Sequence, residues 1–305
     1  MAKKISVVIP NYNGENLLAK NLPLVIKHCT DSEIIVVDDA STDGSVKMLK
    51  KNFKNIKIIE NSINGGFAHS ANTGVKSSKN DLVLLLNSDV SPKQSFLQVA
   101  IEHFKEPKLF AVGLMDLSHE NQEIVKRGRG GASFRRGFLN HFAMDDSFGE
   151  TLWVSGGSSL IDKKKFLELG GFDEIYKPFY WEDIDLGYRA QKNGYICLFE
   201  PKSQVDHFHQ EGAIKKNYST FYVKTISYRN QFIFVWKNIS DYTLLLEHIL
   251  WLPYNILRAA IAFDWPFLIG FAKALLKVPS LVFNYDQSFI GTKLSDKEII
   301  KKFEK

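Results

Sequence analysis

Cysteine is scarce in this sequence, and long apolar runs without charge are missing. The 305 residues contain two cysteines, Cys29 and Cys197, which lie far apart and form no Cys-x-x-Cys pair. This excludes a disulfide framework and a cysteine zinc site, and predicts two small buried side chains in a reducing compartment. The first apolar run, SVVI, is too short for a secretory signal and leads into no cleavage site, so we expect a cytoplasmic protein.

Two glycine motifs that bind nucleotides are also missing. No G-x-G-x-x-G follows the first apolar run, and G-x-x-x-x-G-K-[ST] occurs nowhere. Rossmann dinucleotide binding and P-loop chemistry are therefore disfavoured. A composition of 45% hydrophobic and 24% charged residues is ordinary for a soluble globular protein and excludes global disorder. The length suits one large domain or two modest ones.

The positive charge is concentrated in the last third. From Glu211 to Lys305 there are thirteen lysines and arginines against eight acidic residues, an excess that equals the net charge of +5 for the whole chain. The same region is rich in Trp, Phe and Leu. A basic, apolar segment favours an anionic surface as partner, either a membrane or a nucleic acid.

Strand-like and helix-like segments alternate in the first half. Short runs that are apolar throughout, as in strands buried on both faces, are Ile5–Pro10, Glu33–Asp38, Ile56–Glu60 and Leu82–Leu86. The segments between them predict helices over Glu15–His28, Asp43–Asn52, Phe67–Ser78 and Pro92–Lys105. This order predicts an α/β fold with a mainly parallel sheet flanked by helices.

The later segments are less regular. We predict a mobile glycine-rich basic loop over Lys126–Arg136, a strand near Leu152–Val154 and a helix over Lys163–Leu169. A second helix should run from Glu182 to the stop signal Asn193-Gly194, before a strand over Tyr195–Phe199. After Lys215 the pattern is helical to the end.

Polar residues end three of the predicted strands. They are Asn11-Tyr12-Asn13, Asp38-Asp39 and Asn87-Ser88-Asp89. Turn preference explains each group alone, but it does not explain why all three fall at the carboxyl ends of parallel strands, where ligands bind. A strand-end Asp can accept the N3–H of a pyrimidine ring, which makes Asp39 a candidate for nucleotide binding. Ser41 or Thr42 is expected to cap the following helix.

The segment Glu182-Asp183-Ile184-Asp185 begins a predicted helix. Acidic residues favour a first helical turn for electrostatic reasons alone, and Asp185 is spaced to pair with Arg189. Glu182 and Asp183 follow three aromatic residues, which is more typical of a pocket rim. A carboxylate there could accept a proton from an incoming hydroxyl.

His207 and His209 alternate on a predicted strand, so they should face opposite sides and at most one should face the site. A lone histidine is more often a structural hydrogen-bonding group than a metal ligand. The nearby Asp89 strengthens the metal interpretation, and both alternatives stay open.

Six motifs together resemble the family-2 glycosyltransferases of the GT-A fold. They are SVVIPNYNG, EIIVVDDASTDGS, NGGFAHSANTG, LLLNSD, SGGSSLIDKKKFLELGGFDE and YWEDIDLGYRAQKNGY. The resemblance is strongest to the rhamnosyltransferase-like branch of bacterial surface-polysaccharide enzymes and covers about residues 5–235. It implies a GT-A domain over 1–235, with a nucleotide-sugar half at about 1–115 and an acceptor half at about 150–210. A helical, amphipathic C-terminal region over 236–305 would follow.

The resemblance also implies roles for particular residues. Nucleotide binding would involve Pro10, Asn11, Tyr12, Asp39, Asn64, Gly65, Asn72 and Ser88. Asp89 and His207 would bind Mg²⁺ or Mn²⁺, Asp183 would be the general base beside Glu182, and Gly156, Gly157 and Trp181 would line the donor and acceptor pocket. The chain departs from the family at Asn87, which replaces the first acid of the metal motif.

The implied reaction is an inverting transfer of a sugar, with rhamnose as one candidate, from a UDP- or dTDP-linked donor to a hydroxyl of a glycan or polyprenyl-linked acceptor. Arg127, Arg129, Arg135 and Arg136 are candidates for stabilising the leaving diphosphate. The alternatives are a synthase that transfers sugar to polyprenyl phosphate, and a non-catalytic protein that binds nucleotide sugars.

The apolar segment Leu244–Phe283 is interrupted by five charged residues and three prolines. No charge-free run reaches the ~18–20 residues that a spanning helix needs. We predict short amphipathic helices in the membrane interface, and so a peripheral protein on the inner face of the cell membrane. The alternatives are a helical bundle on the catalytic domain or a homodimer contact. Nucleic-acid binding by the basic region is not expected.

Overall fold

The computed structural model describes residues 4–120, 123–208, 218–283 and 293–304. The strands are β1 (Ile5–Asn11), β2 (Glu33–Asp38), β3 (Lys57–Glu60), β4 (Leu82–Leu86), β5 (Val90–Pro92), β6 (Leu109–Glu120), β7 (Glu123–Arg127), β8 (Gly130–Arg135), β9 (Phe138–Ala143), β10 (Gly149–Glu150), β11 (Ser158–Asp162) and β12 (Ile196–His207). The helices are α1 (Glu15–His28), α2 (Ser45–Asn52), α3 (Phe67–Ser77), α4 (Phe96–Glu102), α5 (Lys163–Glu168), α6 (Glu182–Lys192), α7 (Thr220–Asn238), α8 (Tyr242–Ile261), α9 (Trp265–Leu275), α10 (Val278–Phe283) and α11 (Asp296–Phe303).

One large sheet organises the chain, with strand order β10-β12-β6-β11-β4-β1-β2-β3. Strands β3, β2, β1 and β4 are mutually parallel, and β12 is parallel to β6, whereas β11 lies antiparallel between β4 and β6. Strands β5 and β7 add to β12 and β6, and β8 and β9 form a separate hairpin. The predicted α/β class with a mainly parallel sheet flanked by helices is confirmed.

Both faces of the central strands are buried because their side chains are apolar at nearly every position. In β4, Leu82, Leu84 and Leu86 join the core that contains α1, α2 and α4, while Val83 and Leu85 join the core that contains α3, α5 and α6. Alternate residues of a strand point to opposite faces, so an uninterrupted apolar strand requires cover on both sides. Cys29 and Cys197 are buried in these two cores and are not disulfide-bonded.

The prediction of a mobile loop over Lys126–Arg136 is wrong. Most of this segment lies in β7, which pairs with β6, and in β8, which pairs with β9. The glycines here permit close packing instead of mobility. A Cβ atom on Gly130 would collide with the ring of Trp153, and one on Gly131 would lie 2.6 Å from the backbone carbonyl of Phe303.

The positions of one strand and one helix also differ from the prediction. The strand expected near Leu152–Val154 is absent from the described residues there, and the strand that inserts into the sheet is β11, a few residues later. The helix expected from Pro92 begins at Phe96, because Val90–Pro92 pairs with β12 as a short strand.

The capping prediction for Ser41 or Thr42 is also wrong. Helix α2 follows Gly44, whose position makes no side-chain capping bond. Ser41 Oγ instead accepts the backbone N–H of Asn13 at 2.9 Å, and the backbone N–H of Thr42 donates to Asn13 Oδ1 at 2.7 Å. These side chains join the loops after β1 and β2.

The C-terminal helices share a core with the middle of the chain. Phe138 of β9, Tyr188 of α6, Phe232 of α7, Phe267 of α9 and Phe303 of α11 belong to one buried cluster. The boundary expected between residues 235 and 236 therefore falls within the last turn of α7. Within the described residues, no helix combines the length and the apolar character required to cross a bilayer.

Candidate active site

Polar groups from three strand ends lie together at one edge of the sheet. At the end of β1, Asn11 Nδ2 donates to Asp38 Oδ1 at 2.9 Å, and the two residues are direct partners in the parallel register. Asn21 of α1 donates from Nδ2 to the carbonyl of Ser88, just after β4, at 2.8 Å. The expected convergence of the strand ends is confirmed.

Asp39 lies beneath the glycine loop that precedes α3. Its Oδ1 accepts the backbone N–H of Gly65 at 3.0 Å and the amide of Asn61 at 2.8 Å, and its Oδ2 accepts the N–H of Gly66 at 2.7 Å. Gly66 has φ 83°, a left-handed conformation that glycine adopts without strain. The arrangement brings Asp39 and Gly65 together. A carboxylate oxygen can accept two hydrogen bonds, so Oδ2 can also accept a ring N–H.

The other residues expected at the nucleotide differ in exposure. Pro10 and Tyr12 are half-buried at the end of β1, and Ser88 is half-buried after β4. Asn64 is exposed, and its Oδ1 accepts the N–H of Gly66 at 3.1 Å.

The Asn72 side chain makes two hydrogen bonds to the backbone of Phe172. Its Nδ2 donates to the carbonyl of Phe172 at 2.8 Å, and its Oδ1 accepts the N–H of the same residue at 2.9 Å. Both ends of the amide therefore tie α3 to the loop after α5. This bond pair positions the loop.

A buried histidine lies between two carboxylates. His207 Nε2 is 3.2 Å from Asp89 Oδ1, and His207 Nδ1 is 2.5 Å from Asp116 Oδ2. Burial acts to lower the pKa of His207, but the hydrogen bonds to Asp116 and Asp89 raise it to about 9. The imidazole is therefore protonated at neutral pH when these carboxylates are its partners. His209 lies outside the described residues.

The chemistry of this group fits a divalent cation that is completed by substrate. The Oδ1 atom of Asp89 and the Nε2 atom of His207 lie 3.2 Å apart, so a cation bound by both would replace the proton on Nε2, and Asp116 is placed to hold the other ring nitrogen in its protonated form. Among the described residues no cluster of three or more His, Cys, Asp or Glu side chains is arranged to hold a metal. Mg²⁺ and Mn²⁺ commonly use one or two protein ligands, with phosphate oxygens and water as the others.

Asp116 was not predicted from the sequence. It lies on β6 within the hydrophobic run LFAVGLMDL, and this isolated acid in a buried strand is the signal that could have revealed it. Ser118 Oγ donates to its Oδ1 at 2.7 Å, and Arg127 Nε donates to Ser118 Oγ at 3.0 Å. A polar chain therefore runs from β7 to His207.

The four arginines of the basic segment separate in space. Arg127 donates to Ser118, which is bonded to Asp116, and its positive charge also acts on the phenol of Tyr180. Arg129 pairs with Asp145, and Arg136 lies over Trp251. Arg127 also pairs with Glu120 at 2.9 Å.

The acidic pair at the start of α6 follows an unusual backbone. Tyr180 and Trp181 both have positive φ, 69° and 78°, which is strained for bulky residues. Asn230 of α7 stabilises this turn, because its Nδ2 donates to the carbonyls of Phe179 at 3.0 Å and Tyr180 at 2.8 Å. Sequence reasoning missed Asn230, whose signal is a polar residue in the apolar run of α7. The turn ends with Glu182 and Asp183 in the first helical turn.

Burial changes the acidity of this pair. Burial raises the pKa of Asp183 above its ordinary value, although backbone hydrogen bonds from Ile184 and Gly156 act to lower it. Burial and then the charge of Asp183 raise the pKa of Glu182 further. Glu182 Oε2 has no hydrogen-bond partner among the described residues. The geometry favours a protonated Glu182 beside an ionised Asp183 at neutral pH.

A small, mostly apolar cavity adjoins Asp183. Its lining includes Phe110, Val154, Phe172 and Leu186. The predicted pair Asp185 and Arg189 is confirmed behind it, with Arg189 Nη2 2.6 Å from Asp185 Oδ2 in a fully buried position. This ion pair fixes the first turns of α6.

Gly156 and Gly157 connect the two acidic groups. The Gly156 N–H bonds to Asp183, and the Gly157 carbonyl accepts the N–H of Asn87 at 2.9 Å. A Cβ atom on Gly157 would collide with the Asn87 side chain, so the close approach requires glycine. Asp89 and Asp183, far apart in sequence, therefore lie on either side of one short segment at the same sheet edge.

Trp181 is not at the surface of the pocket. Its ring is 3% exposed and packs against His141 and Phe234 in the core. The neighbouring Tyr180 is 42% exposed and takes the rim position expected of Trp181.

Tyr180 belongs to an aromatic cluster at this rim. Its ring lies 5.0 Å from that of Phe179, which lies 5.0 Å from Tyr218, and Tyr218 stacks on Tyr222 at 5.3 Å. Burial, and then the phenols of Tyr222 and Tyr12, raise the pKa of Tyr218, so this cluster reaches the end of β1.

Comparison with known proteins gives relatives of one kind. The chain is 25% identical to the chondroitin synthase of Escherichia coli over 245 residues, which is 70% of this chain and 35% of that enzyme. It is 22% identical over 203 residues to the N-acetylglucosaminyl-diphospho-decaprenol L-rhamnosyltransferase of Mycobacterium tuberculosis, covering 57% of this chain and 66% of that one. The chain thus spans about a third of the first relative and two thirds of the second.

A solved structure supports the same fold. GalNAc-T7, crystallised with UDP, GalNAc and Mn²⁺, superposes with a TM-score of 0.64 at 17% identity, over 79% of this chain and 49% of that one. The family description "Glycosyl transferase family 2" matches residues 6–170, more than half of the sequence. The architecture is therefore the GT-A fold, and the chain belongs to glycosyl transferase family 2.

Proposed function

We propose that this protein is an inverting glycosyltransferase that moves a hexosyl group, with rhamnose as the first candidate, from a UDP- or dTDP-linked donor to a hydroxyl of a surface-glycan precursor. The observation that supports this most is the meeting of two acidic groups at one sheet edge. Asp89 with His207 lies on one side of Gly156-Gly157, and Asp183 lies on the other.

In this proposal the first half of the chain binds the donor. Asp39 accepts the ring N–H of the pyrimidine, next to the N–H groups of the Gly65–Gly66 loop. Pro10 and Tyr12 flank the base and ribose. Asp89 and His207 would hold Mg²⁺ or Mn²⁺ on the diphosphate. The bound cation would offset the negative charge that develops on the leaving nucleoside diphosphate.

Asp183 is the proposed general base. It accepts the proton of the acceptor hydroxyl as that oxygen attacks the anomeric carbon from the face opposite the diphosphate. The bond from the anomeric carbon to the phosphate oxygen breaks in the same step, so the configuration inverts. Glu182, protonated, donates a hydrogen bond to the acceptor, and Tyr180 with Tyr218 offers it an aromatic surface.

We also propose that the acceptor is linked to a polyprenyl carrier. The protein would then work as a peripheral enzyme on the inner face of the cell membrane. Its relatives include an enzyme named for a decaprenol-linked acceptor, which makes this acceptor class the first to test.

The decisive experiment measures nucleoside diphosphate release from UDP-, dTDP- and GDP-sugars with Mn²⁺ and a polyprenyl-diphosphate-linked sugar. We expect transfer from a UDP- or dTDP-sugar, with an inverted anomeric configuration in the product. Thermal stabilisation by GDP alone would contradict the role of Asp39. Absence of both transfer and donor hydrolysis with every acceptor would favour a binding protein.

The rival activity, transfer to polyprenyl phosphate, differs in one testable way. Its acceptor is already an anion and requires no base. Replacing Asp183 by Asn should therefore leave that activity within a few-fold, whereas it should largely abolish transfer to a hydroxyl.

A further inference from the structure

Helix α8 turns its apolar side outward. Leu246, Ile249, Leu250, Leu257, Ile261 and the adjoining Phe263 are between 51% and 73% exposed. On the helix, the spacing of these residues places them along one side. We call this set the docking face.

The buried side of the same helix is partly polar. The buried residues of α8 are Leu244, His248, Asn255 and Ala259. His248 Nδ1 lies 2.6 Å from the carbonyl of Gly137, and Asn255 Nδ2 donates to the carbonyl of Arg136 at 3.0 Å. These bonds attach α8 to the β8–β9 turn, and three further apolar side chains of the helix, Leu245, Leu252 and Ile256, pack partly buried against the same core. The residues of the docking face lie outside these contacts.

Cations outnumber acids around the docking face. Arg258 and Lys273 are exposed, and Lys277 is half-buried. The two acids of this region are engaged by the protein, because Glu247 accepts the N–H of Gly137 at 3.2 Å and Asp264 accepts the hydroxyl of Tyr228 at 3.2 Å. The cations complement an anionic partner.

We propose that the docking face binds the surface of a bilayer that contains anionic phospholipids, with α8 lying along the membrane plane. The apolar side chains would enter the boundary between headgroups and acyl chains, and the cations would contact lipid phosphates. The proposal deepens the peripheral membrane position included in the proposed function, by naming the surface and the lipid chemistry that it recognises.

A second copy of the chain fits this face less well than lipid. A twofold contact places the same surface of both subunits together. Two docking faces would bring the excess of cations over acids on both copies to one interface, where Arg258 and Lys273 of each copy would meet the same charges of the other. A lipid phosphate surface supplies the missing negative charge.

The docking face is joined to the candidate active site by packed helices. Helix α8 contacts α9, which packs against α7. Residues Arg229 and Asn230 of α7 bind the carbonyls of the turn that precedes Glu182. Binding at the membrane would therefore fix the orientation of the acceptor rim relative to the lipid. A polyprenyl-linked acceptor would approach from the same surface.

The test is flotation of the full chain with vesicles of phosphatidylcholine alone or mixed with phosphatidylglycerol, without nucleotide sugar. We expect recovery with the anionic vesicles and a decrease as salt is raised. The double variant Leu250→Glu/Leu257→Glu should lower that recovery about tenfold. The charge variant Arg258→Gln/Lys273→Gln should lower it with anionic vesicles only.

Ile63→Glu and Ile124→Glu are the matched controls, because these side chains are 72% and 58% exposed far from α8 in sequence. Thermal unfolding of every variant checks the fold. Failure of the wild type to float, or equal flotation of the face and control variants, would overturn the proposal. A lipid-free dimer that is lost in Leu250→Glu/Leu257→Glu would assign the face to a second copy. Flotation by a chain that transfers no sugar would reject the proposed function alone.

Discussion

The strands of the donor half bury their apolar side chains, whereas helix α8 exposes several of its own. In β1, β2 and β4 nearly every apolar side chain is buried, and the polar groups gather at the carboxyl ends. On the docking face of α8 large apolar side chains are exposed, while His248 and Asn255 are buried and hydrogen-bonded to the β8–β9 turn. The donor half presents polar chemistry to a small ligand, and α8 presents apolar surface to a large partner.

The junction between the two regions is α6, which carries the acidic pair. Its first turn is held by Asn230 from the helical region and by Gly156 from the loop before β11. Catalysis as proposed therefore depends on both regions, although the donor half would supply Asp89 and the nucleotide ligands. The following changes separate their contributions.

The largest effect is expected at this junction. Asp183→Asn should lower kcat for transfer to a hydroxyl about 10²- to 10⁴-fold, because it removes the proposed proton acceptor. Nucleoside diphosphate binding, measured by thermal shift with Mn²⁺, should be unchanged. Asp81→Asn, at an exposed acid, is the control. Equal loss of nucleotide binding would instead place Asp183 at the donor.

Paired leucine truncations compare the two regions directly. Leu84 is fully buried in β4, and Leu257 is 60% exposed on α8. Leu84→Ala should lower the free energy of unfolding by about 2–5 kcal/mol through lost burial and the cavity left behind. Leu257→Ala should change it by less than about 0.5 kcal/mol. Denaturant titration in the absence of lipid measures both. A large loss for Leu257→Ala would mean that this side chain is covered in solution.

The two regions also differ in how far the sequence predicted them. The donor half was predictable because uninterrupted apolar strands require two covered faces and place polar residues at their ends. Asp39, Asp89 and Asp183 were chosen as candidate site residues from local patterns and a family resemblance. Asp116 and Asn230 each stand out as a polar residue in an apolar run, but their roles depend on contacts with His207 and with the Tyr180 turn, which are distant in sequence.

The errors have a common physical cause. The segment Lys126–Arg136 looked mobile because glycine is flexible when nothing packs against it. In the fold, Gly130 and Gly131 are required where Trp153 and the carbonyl of Phe303 approach the backbone. Trp181, which was expected to line the pocket, is buried next to the exposed Tyr180 in a turn where both residues have positive φ. Spacing alone does not distinguish such cases.

A smaller effect is expected from the residue behind His207. Asp116→Asn keeps the size of the side chain but removes the charge that holds His207 Nδ1–H. Mn²⁺ affinity should fall about 10- to 100-fold, as for other carboxylates behind metal-binding histidines. Titration calorimetry with Mn²⁺ and UDP measures this without turnover. The matched control is Asp206→Asn, because Asp206 lies on β12 next to His207 but pairs with His119. Equal affinity in both variants would limit Asp116 to a structural role.

The smallest effect on rate is expected beside the general base. The raised pKa of Glu182 keeps it protonated at neutral pH, so Glu182→Gln should preserve its shape, neutrality and hydrogen-bond donor, and kcat should fall less than about tenfold. Stability should change with pH. A carboxyl with a raised pKa binds its proton more tightly in the folded state, so wild-type stability falls as pH rises from the ordinary carboxyl pKa to the raised value. The variant lacks this contribution, and urea titrations across that range should show its stability rising relative to wild type. A constant difference would show that Glu182 has the same pKa in the folded and unfolded states. Glu182 would then be ionised at neutral pH, as Asp183 is, and could not donate a hydrogen bond to the acceptor.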